Sequence, residues 1–293
     1  MKSNISGLLL VSALFIAAFV VGCSGVMPGK AAYTGTGMVK SADGSRIHYS
    51  VSGQGDIALV FVHCWTCNDT FWNKQVEYYS ERYRVVTLDL AGHGQSGSQR
   101  SRYTMQAFGQ DVVAVVNELG LNKVILIGHS MGGPVAMNAA QELGKRVVGI
   151  VGVDTFYTAF VYPKTKDQID TFVKPFRDDY SAATTGMVKS MFPPQADPVL
   201  VKEMVDYFST RNREVGLSAI TEIFAWSARH RDATLNQFSD KLRNINADPE
   251  NKNQPMNPGV VLIPGAGHFI AQEKPDAFNH ALDGILKDFG VYR

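Results

Sequence analysis

Two hydrophobic periodicities alternate along this chain. Short, nearly continuous apolar runs rich in valine and isoleucine occur at Ile57–Val62, Arg84–Leu90, Val124–Ile127, Val147–Val153 and Gly259–Ile263. Runs of this kind predict strands buried on both faces. Between them, apolar residues recur at helical spacing. Thr70–Arg82 gathers Phe71, Trp72, Val76 and Tyr79 on one side, and Thr104–Leu119 gathers Phe108, Val112, Val115, Val116 and Leu119 before a stop at Gly120. A last helix is predicted from Pro275 to Phe289, with Phe278, Ala281, Leu282, Ile285 and Leu286 inward. Near the start, Met38–Lys40 and Arg46–Val51 alternate around Asp43-Gly44, a hairpin pattern. Strands and helices alternating in this way imply a mostly parallel sheet with helices on both faces, an α/β fold.

The alternation breaks after Asp154. Residues 155–241 show helical patterns at Asp167–Arg177, Pro198–Ser209 and Glu214–Ala228, punctuated by Pro163, Pro193, Pro194 and Pro198. This predicts a helical lid inserted between two sheet strands. The sheet resumes weakly at Leu242–Asp248. The expected organisation is therefore a core of residues 37–154 and 242–293 and a lid of residues 155–241. Most lid aromatics, among them Phe156, Phe160, Tyr162, Phe172, Phe176, Phe192 and Phe224, should pack the lid onto the sheet, and a few should line an apolar pocket.

Composition adds limits. The chain has 293 residues, 45% of them hydrophobic, and a formal net charge of +1. One domain of this size buries a substantial core. There is no basic run, so nucleic acid is not an expected partner. The first residues differ from the rest: Lys2 precedes an apolar stretch from Leu8 to Val21, followed by Gly22-Cys23-Ser24. That is the pattern of a signal peptide. Val20-Val21-Gly22-Cys23 resembles the lipobox of bacterial lipoproteins, which implies residues 1–22 as leader, Cys23 as the lipidated first residue and residues 23–36 as a tether. The implied location is the bacterial cell envelope, on a membrane through the lipid; a plain secretory leader or an uncleaved anchor is the alternative. In an exported chain the remaining pair, Cys64 and Cys67, is either a disulfide or two free thiols.

The chemistry centres on Gly128-His129-Ser130-Met131-Gly132-Gly133, which follows a buried strand and precedes a helical pattern beginning at Pro134. Strand, Gly-x-Ser-x-Gly turn and helix make a nucleophile elbow with Ser130 at its tip. A serine hydroxyl needs a base within reach, and the base an orienting carboxylate. Of the seven histidines, His268 is expected as base, because it follows a buried strand through Gly265-Ala266-Gly267. Asp248 and Asp154 each end a strand beside the relevant edge. Asp248 is the favoured acid, with Asp154 as alternative. The Met131 and Trp65 amides are the expected oxyanion donors. His129 and His93 read as packing neighbours, and Asp89 as the anchor of the Gly92–Gly97 loop. No H-E-x-x-H or paired-ligand spacing occurs, so neither metal nor cofactor is expected.

With these residues in view the sequence resembles the α/β-hydrolases of the lidded esterase type. His63-Cys64-Trp65, Asp89 to Ser96, Gly128 to Gly133 and Gly265 to Phe269 carry the resemblance. It implies an eight-stranded, mostly parallel sheet with an inserted lid, Ser130 as nucleophile, His268 as base, and Trp65 and Met131 as oxyanion amides. Two positions depart from the pattern: Cys64 stands where glycine is usual, and the segment ending at Asp248 is short and polar. The implied activity is hydrolysis of a small to medium apolar carboxylic ester or lactone through an acyl-serine. Carbon–carbon bond hydrolysis, acyl transfer, and non-catalytic ligand binding at a surface on the same fold are the alternatives.

Overall fold

The computed structural model describes residues 34–158, 160–247 and 259–292. Eight strands form one sheet: β1 (Thr34–Lys40), β2 (Arg46–Ser52), β3 (Ala58–Val62), β4 (Arg84–Leu88), β5 (Val124–His129), β6 (Val147–Val153), β7 (Leu242–Ala247) and β8 (Val260–Ile263). Their order across the sheet is β1-β2-β4-β3-β5-β6-β7-β8. The first two strands form an antiparallel hairpin that meets β4 antiparallel, and all later neighbours are parallel. β1 starts ahead of the expected core boundary at residue 37.

The helices are α1 (Asn73–Tyr79), α2 (Met105–Glu118), α3 (Gly132–Leu143), α4 (Lys166–Asp178), α5 (Tyr180–Ser190), α6 (Pro198–Ser209), α7 (Arg213–Gln237), α8 (Ile270–Glu273) and α9 (Pro275–Asp288). α4 to α7 lie between β6 and β7 and make up the helical insertion. Local chemistry sets several starts. Thr104 Oγ1 accepts the Ala107 N–H at α2, Thr165 and Gln168 form a reciprocal capping box at α4, and Asp197 precedes Pro198 at α6. The helix expected over Thr70–Arg82 is instead a 3₁₀ turn (Asp69–Trp72) followed by α1.

The fully buried strand β5 shows why its sequence does not alternate. Val124 and Leu126 face a core layer with Phe108, Val112, Val135 and Met137. Ile125 and Ile127 face the other layer, with Trp72, Tyr79, Phe278 and Leu282. Both faces of the strand are covered, so both need apolar side chains.

Register places the strand ends. Val62 pairs with Gly128, His129 with Val153, Val153 with Ile245, and Ala247 with Ile263. The carboxyl ends of β3, β5, β6, β7 and β8 are therefore level, and the loops leaving them converge on one edge. That edge is where ligands bind in open α/β sheets.

The expected leader, the lipidation residue Cys23 and nearly all of the tether lie in residues 1–33, outside the described residues. Among the described residues no helix is long and apolar enough to cross a membrane.

Candidate active site

Ser130 leaves β5 with φ at 52°, in the left-handed region. Such a conformation costs a non-glycine residue on the order of 1–2 kcal/mol and must be held from outside. The holding contacts are visible. The Ser130 N–H donates to Val153 O at 2.9 Å, and Ser130 O accepts from the Gly133 N–H at 3.0 Å and from the Thr155 hydroxyl at 2.7 Å. The flanking glycines are needed for space. A Cβ on Gly128 would fall on the carbonyl of Gly132, and one on Gly132 would fall on the carbonyl of Val62. The turn thus closes against both its own helix and β3.

His268 follows β8, and its Nδ1 lies 2.6 Å from Asp154 Oδ2. A carboxylate only accepts, so Nδ1 is the donor, and Nε2 is the ring nitrogen not engaged by Asp154. The other oxygen, Asp154 Oδ1, accepts the Ala247 N–H at 3.0 Å. The Asp154 N–H donates to Ile245 O at 2.9 Å. Asp154 is thereby braced against β7 while it reaches His268. The favoured acid of the sequence reading, Asp248, lies outside the described residues. The position against His268 Nδ1 is held by the alternative, Asp154. Its φ of 43° turns the chain sharply at the end of β6. That bend aims the carboxylate along the sheet edge, and strand and helix periodicity carry no sign of it.

The loop bearing His268 is tied on three sides. The His268 N–H donates to Met191 O at 2.8 Å. His268 O lies 2.8 Å from His129 Nε2, which must be the donor to a carbonyl. Glu273 accepts the amides of Gly267 and Phe269, and partial burial raises its pKa above the usual carboxylate range. His129, wholly enclosed, is held neutral because burial depresses its pKa well below 6.5. Neither Glu273 nor the Met191 bond was legible in the residue pattern. The Glu lies on a helix of one turn, too short to show periodicity.

Trp65 and Met131 are both buried. Met131 opens α3, and Trp65 lies in the turn after β3, beside the elbow. His63 fixes that turn: its Nδ1–H donates to Cys64 O at 2.8 Å and its Nε2 accepts the Leu90 N–H at 3.0 Å. Burial lowers its pKa to about 4, so it remains the neutral tautomer those two bonds require. The Trp65 indole donates to Gly216 O on α7 at 2.9 Å. Cys64 and Cys67 are joined as a disulfide. Asp89 accepts the amides of Asp69 and Gln95 at 2.8 Å each, which holds the Gly92–Gly97 loop, and His48 Nδ1 lies 3.3 Å from it. The His93 Nδ1–H donates within its own loop to Ala91 O at 3.0 Å.

Ser130, Asp154, His268 and Trp65 open on one cavity of about 1090 Å³ between the strand ends and the insertion. Phe160, Phe172, Phe176, Phe192 and Phe224 form much of its wall. Phe172 and Phe224 meet edge to face with centroids 4.7 Å apart. The polar groups of the wall are Thr158, Tyr162, Thr171, Ser190 and Gln195. Among the described residues lining it there is no lysine or arginine, and Asp154 is the one carboxylate.

Comparison with known proteins bears on the fold and the family. The chain is 34% identical over 109 residues to (E)-2-((N-methylformamido)methylene)succinate hydrolase of Acinetobacter baylyi, 36% of this chain and 41% of that protein. The matched stretch spans about a third of the length of most of the curated relatives it matches. Among solved structures it is similar to a thermophilic esterase from Thermogutta terrifontis, with a TM-score of 0.72, 21% identity and coverage of 87% of this chain and 99% of that one. It is also similar to a bromoperoxidase from Bacillus anthracis, with a TM-score of 0.73, 23% identity and coverage of 86% and 100%. At these identities the structural likeness speaks for the fold. The model of the alpha/beta hydrolase family matches residues 59–281. An eight-stranded sheet of this order, an elbow at Ser130 and a family match over most of the chain lead to one conclusion: this protein belongs to the alpha/beta hydrolase family.

Proposed function

We propose that the protein is a serine hydrolase that cleaves a small to medium, uncharged carboxylic ester or lactone. The observation that carries the reading is the 2.6 Å contact between His268 Nδ1 and Asp154 Oδ2, at the mouth of the cavity that Ser130 also lines. In this reading His268 Nε2 takes the proton of the Ser130 hydroxyl as its Oγ attacks the acyl carbon. Asp154 stabilises the resulting imidazolium without itself accepting the proton. The Met131 and Trp65 amides receive the negative charge on the carbonyl oxygen. The imidazolium then protonates the leaving alkoxide, and an acyl-serine remains. Water, deprotonated by the same nitrogen, releases the acid and restores Ser130.

The wall chemistry supports an uncharged substrate, because no described lining residue offers a cation to a carboxylate-bearing one. We also propose that the chain is exported and held at a membrane by a lipid on Cys23, on the strength of the residues before it.

The test is a panel of p-nitrophenyl esters and aliphatic lactones with the purified protein and Ser130→Ala. The reading expects turnover on neutral acyl chains, a loss of roughly 10⁵–10⁶ in kcat in the variant, and labelling of Ser130 by a fluorophosphonate. If wild type and variant are equally inert and Ser130 is not labelled, the site is a binding site on a hydrolase scaffold.

A further inference from the structure

The turn after β3 is closed twice. The Cys67 N–H donates to Cys64 O at 3.2 Å, and the two side chains are joined as a disulfide across Cα atoms 5.2 Å apart. The ring so formed encloses two residues. One is Thr66, with φ at 56°. Left-handed backbone is unusual for a β-branched residue, and glycine is the side chain that takes it freely. The other is Trp65, whose amide the Ser130 reading needs at the oxyanion. Its indole is fastened outward to Gly216 O at 2.9 Å, and its ring meets Phe176 edge-on at 5.9 Å. The Trp65 side chain is thus fixed by the insertion, while its backbone is fixed by the ring.

We propose that Cys64 and Cys67 are positioning residues for catalysis: their disulfide holds the Trp65 amide at the oxyanion site, in a turn that its own residues disfavour. The inference rests on the acyl-transfer reading above. Both cysteines are buried, with 2% and 1% of their surface exposed. Thiol–disulfide exchange requires access to a sulfur. The link is therefore a fixed part of the site and not a surface redox handle.

The experiment compares wild type with Cys64→Ala/Cys67→Ala on a p-nitrophenyl ester. Deleting one oxyanion donor costs about 10²–10³ in kcat, so displacing it should cost roughly 10- to 100-fold. KM should stay within about threefold, because the amide acts mainly in the transition state. Inhibition by a phenylboronic acid, which forms a tetrahedral adduct on serine, should weaken in parallel with kcat. Binding of an unreactive alkylbenzene should not change. Adding Thr66→Gly to the alanine pair should restore part of kcat, at least about threefold, since glycine accepts the left-handed turn without the cross-link. A cross-link that served stability alone would not give that rescue.

A pair that keeps kcat within about threefold of wild type overturns the proposal. So does a fall in kcat with no change in boronic acid inhibition. If the alanine pair does not fold, wild type is held in excess dithiothreitol long enough for transient opening to expose the buried link, until mass spectrometry counts both thiols free. Cys64–Cys67 then gains two electrons and two protons, and the dithiol becomes its cyclic disulfide. The same fall in kcat supports the proposal, and unchanged turnover overturns it. A wild type that neither turns over esters nor takes a fluorophosphonate overturns the Ser130 reading, and this inference with it. An active wild type with indifferent cysteines overturns the inference alone.

Discussion

Replacing Asp154 with asparagine tests the acid with almost no change in shape. Asp154 Oδ1 already accepts the Ala247 N–H at 3.0 Å. In the variant the amide oxygen must keep facing that donor, because an NH₂ group there would meet an N–H. The NH₂ group is then turned toward His268 Nδ1, which is 2.6 Å from Oδ2 in the wild type. A donor in that place forces Nδ1 to give up its proton and accept. The neutral imidazole then carries its proton on Nε2 and cannot serve as base. The wrong tautomer costs about 10³–10⁴ in kcat, or roughly 4–5.5 kcal/mol of transition-state stabilisation. Substrate binding makes no use of that proton, so KM should move by less than about threefold. Stopped-time assays with p-nitrophenyl butyrate at neutral pH measure both constants. Asp248→Asn serves as control and should stay within about threefold of wild type. An Asp154→Asn enzyme retaining more than a tenth of wild-type kcat, or a larger loss in Asp248→Asn, would refute the reasoning.

Other expectations follow from the same contacts. Gly128→Ala drives a methyl group onto the carbonyl of Gly132; about 3 kcal/mol of lost stability should lower Tm by roughly 6–12 °C in a scanning calorimeter. His63 has its folded-state pKa depressed from 6.5 to about 4 by burial. The unfolded chain binds that proton first, so this contribution is complete above pH 6.5, falls as pH drops, and is gone near pH 4. Urea titrations across this window should show wild type losing on the order of 3 kcal/mol more than His63→Gln; parallel curves for the two proteins would count against it. Cys23→Ser should move the protein from the membrane fraction to the soluble envelope fraction, and intact-mass measurement should show the loss of the lipid.

Much of the fold was legible because the buried strands and amphipathic helices carry their burial in their own side chains. The β5–α3 elbow is the clearest case, since glycine, serine and valine there each answer to a local demand. Other elements were not readable for stated reasons. α5 is rich in Ser, Ala, Thr and Gly, and of its three buried residues one is Thr184, so its apolar stripe is weak, although its Asp179 cap stands in the sequence. α7 runs nine residues past the expected Ala228, to Gln237, where Arg229, His230, Arg231 and Asp232 hide its continuation. The 3₁₀ turn before α1 shares apolar residues with the helix it precedes and reads as its first turn. At the candidate site, Ser130 and His268 stand out in the sequence by their places after buried strands. The contact between Asp154 and His268 depends on the backbone bend at the end of β6, which no residue pattern reports. His63 read as part of a motif, while its double hydrogen bond across β3 and β4 appears only in three dimensions.

The bond from the His268 N–H to Met191 O joins the His268 loop to the segment between α5 and α6. A chimera that trades this protein's helical insertion for a relative's, to change what the cavity accepts, would therefore cut a support of its own imidazole. Designers seeking new selectivity should keep the stretch around Met191 in place and vary the phenylalanines at 160, 172 and 224 instead.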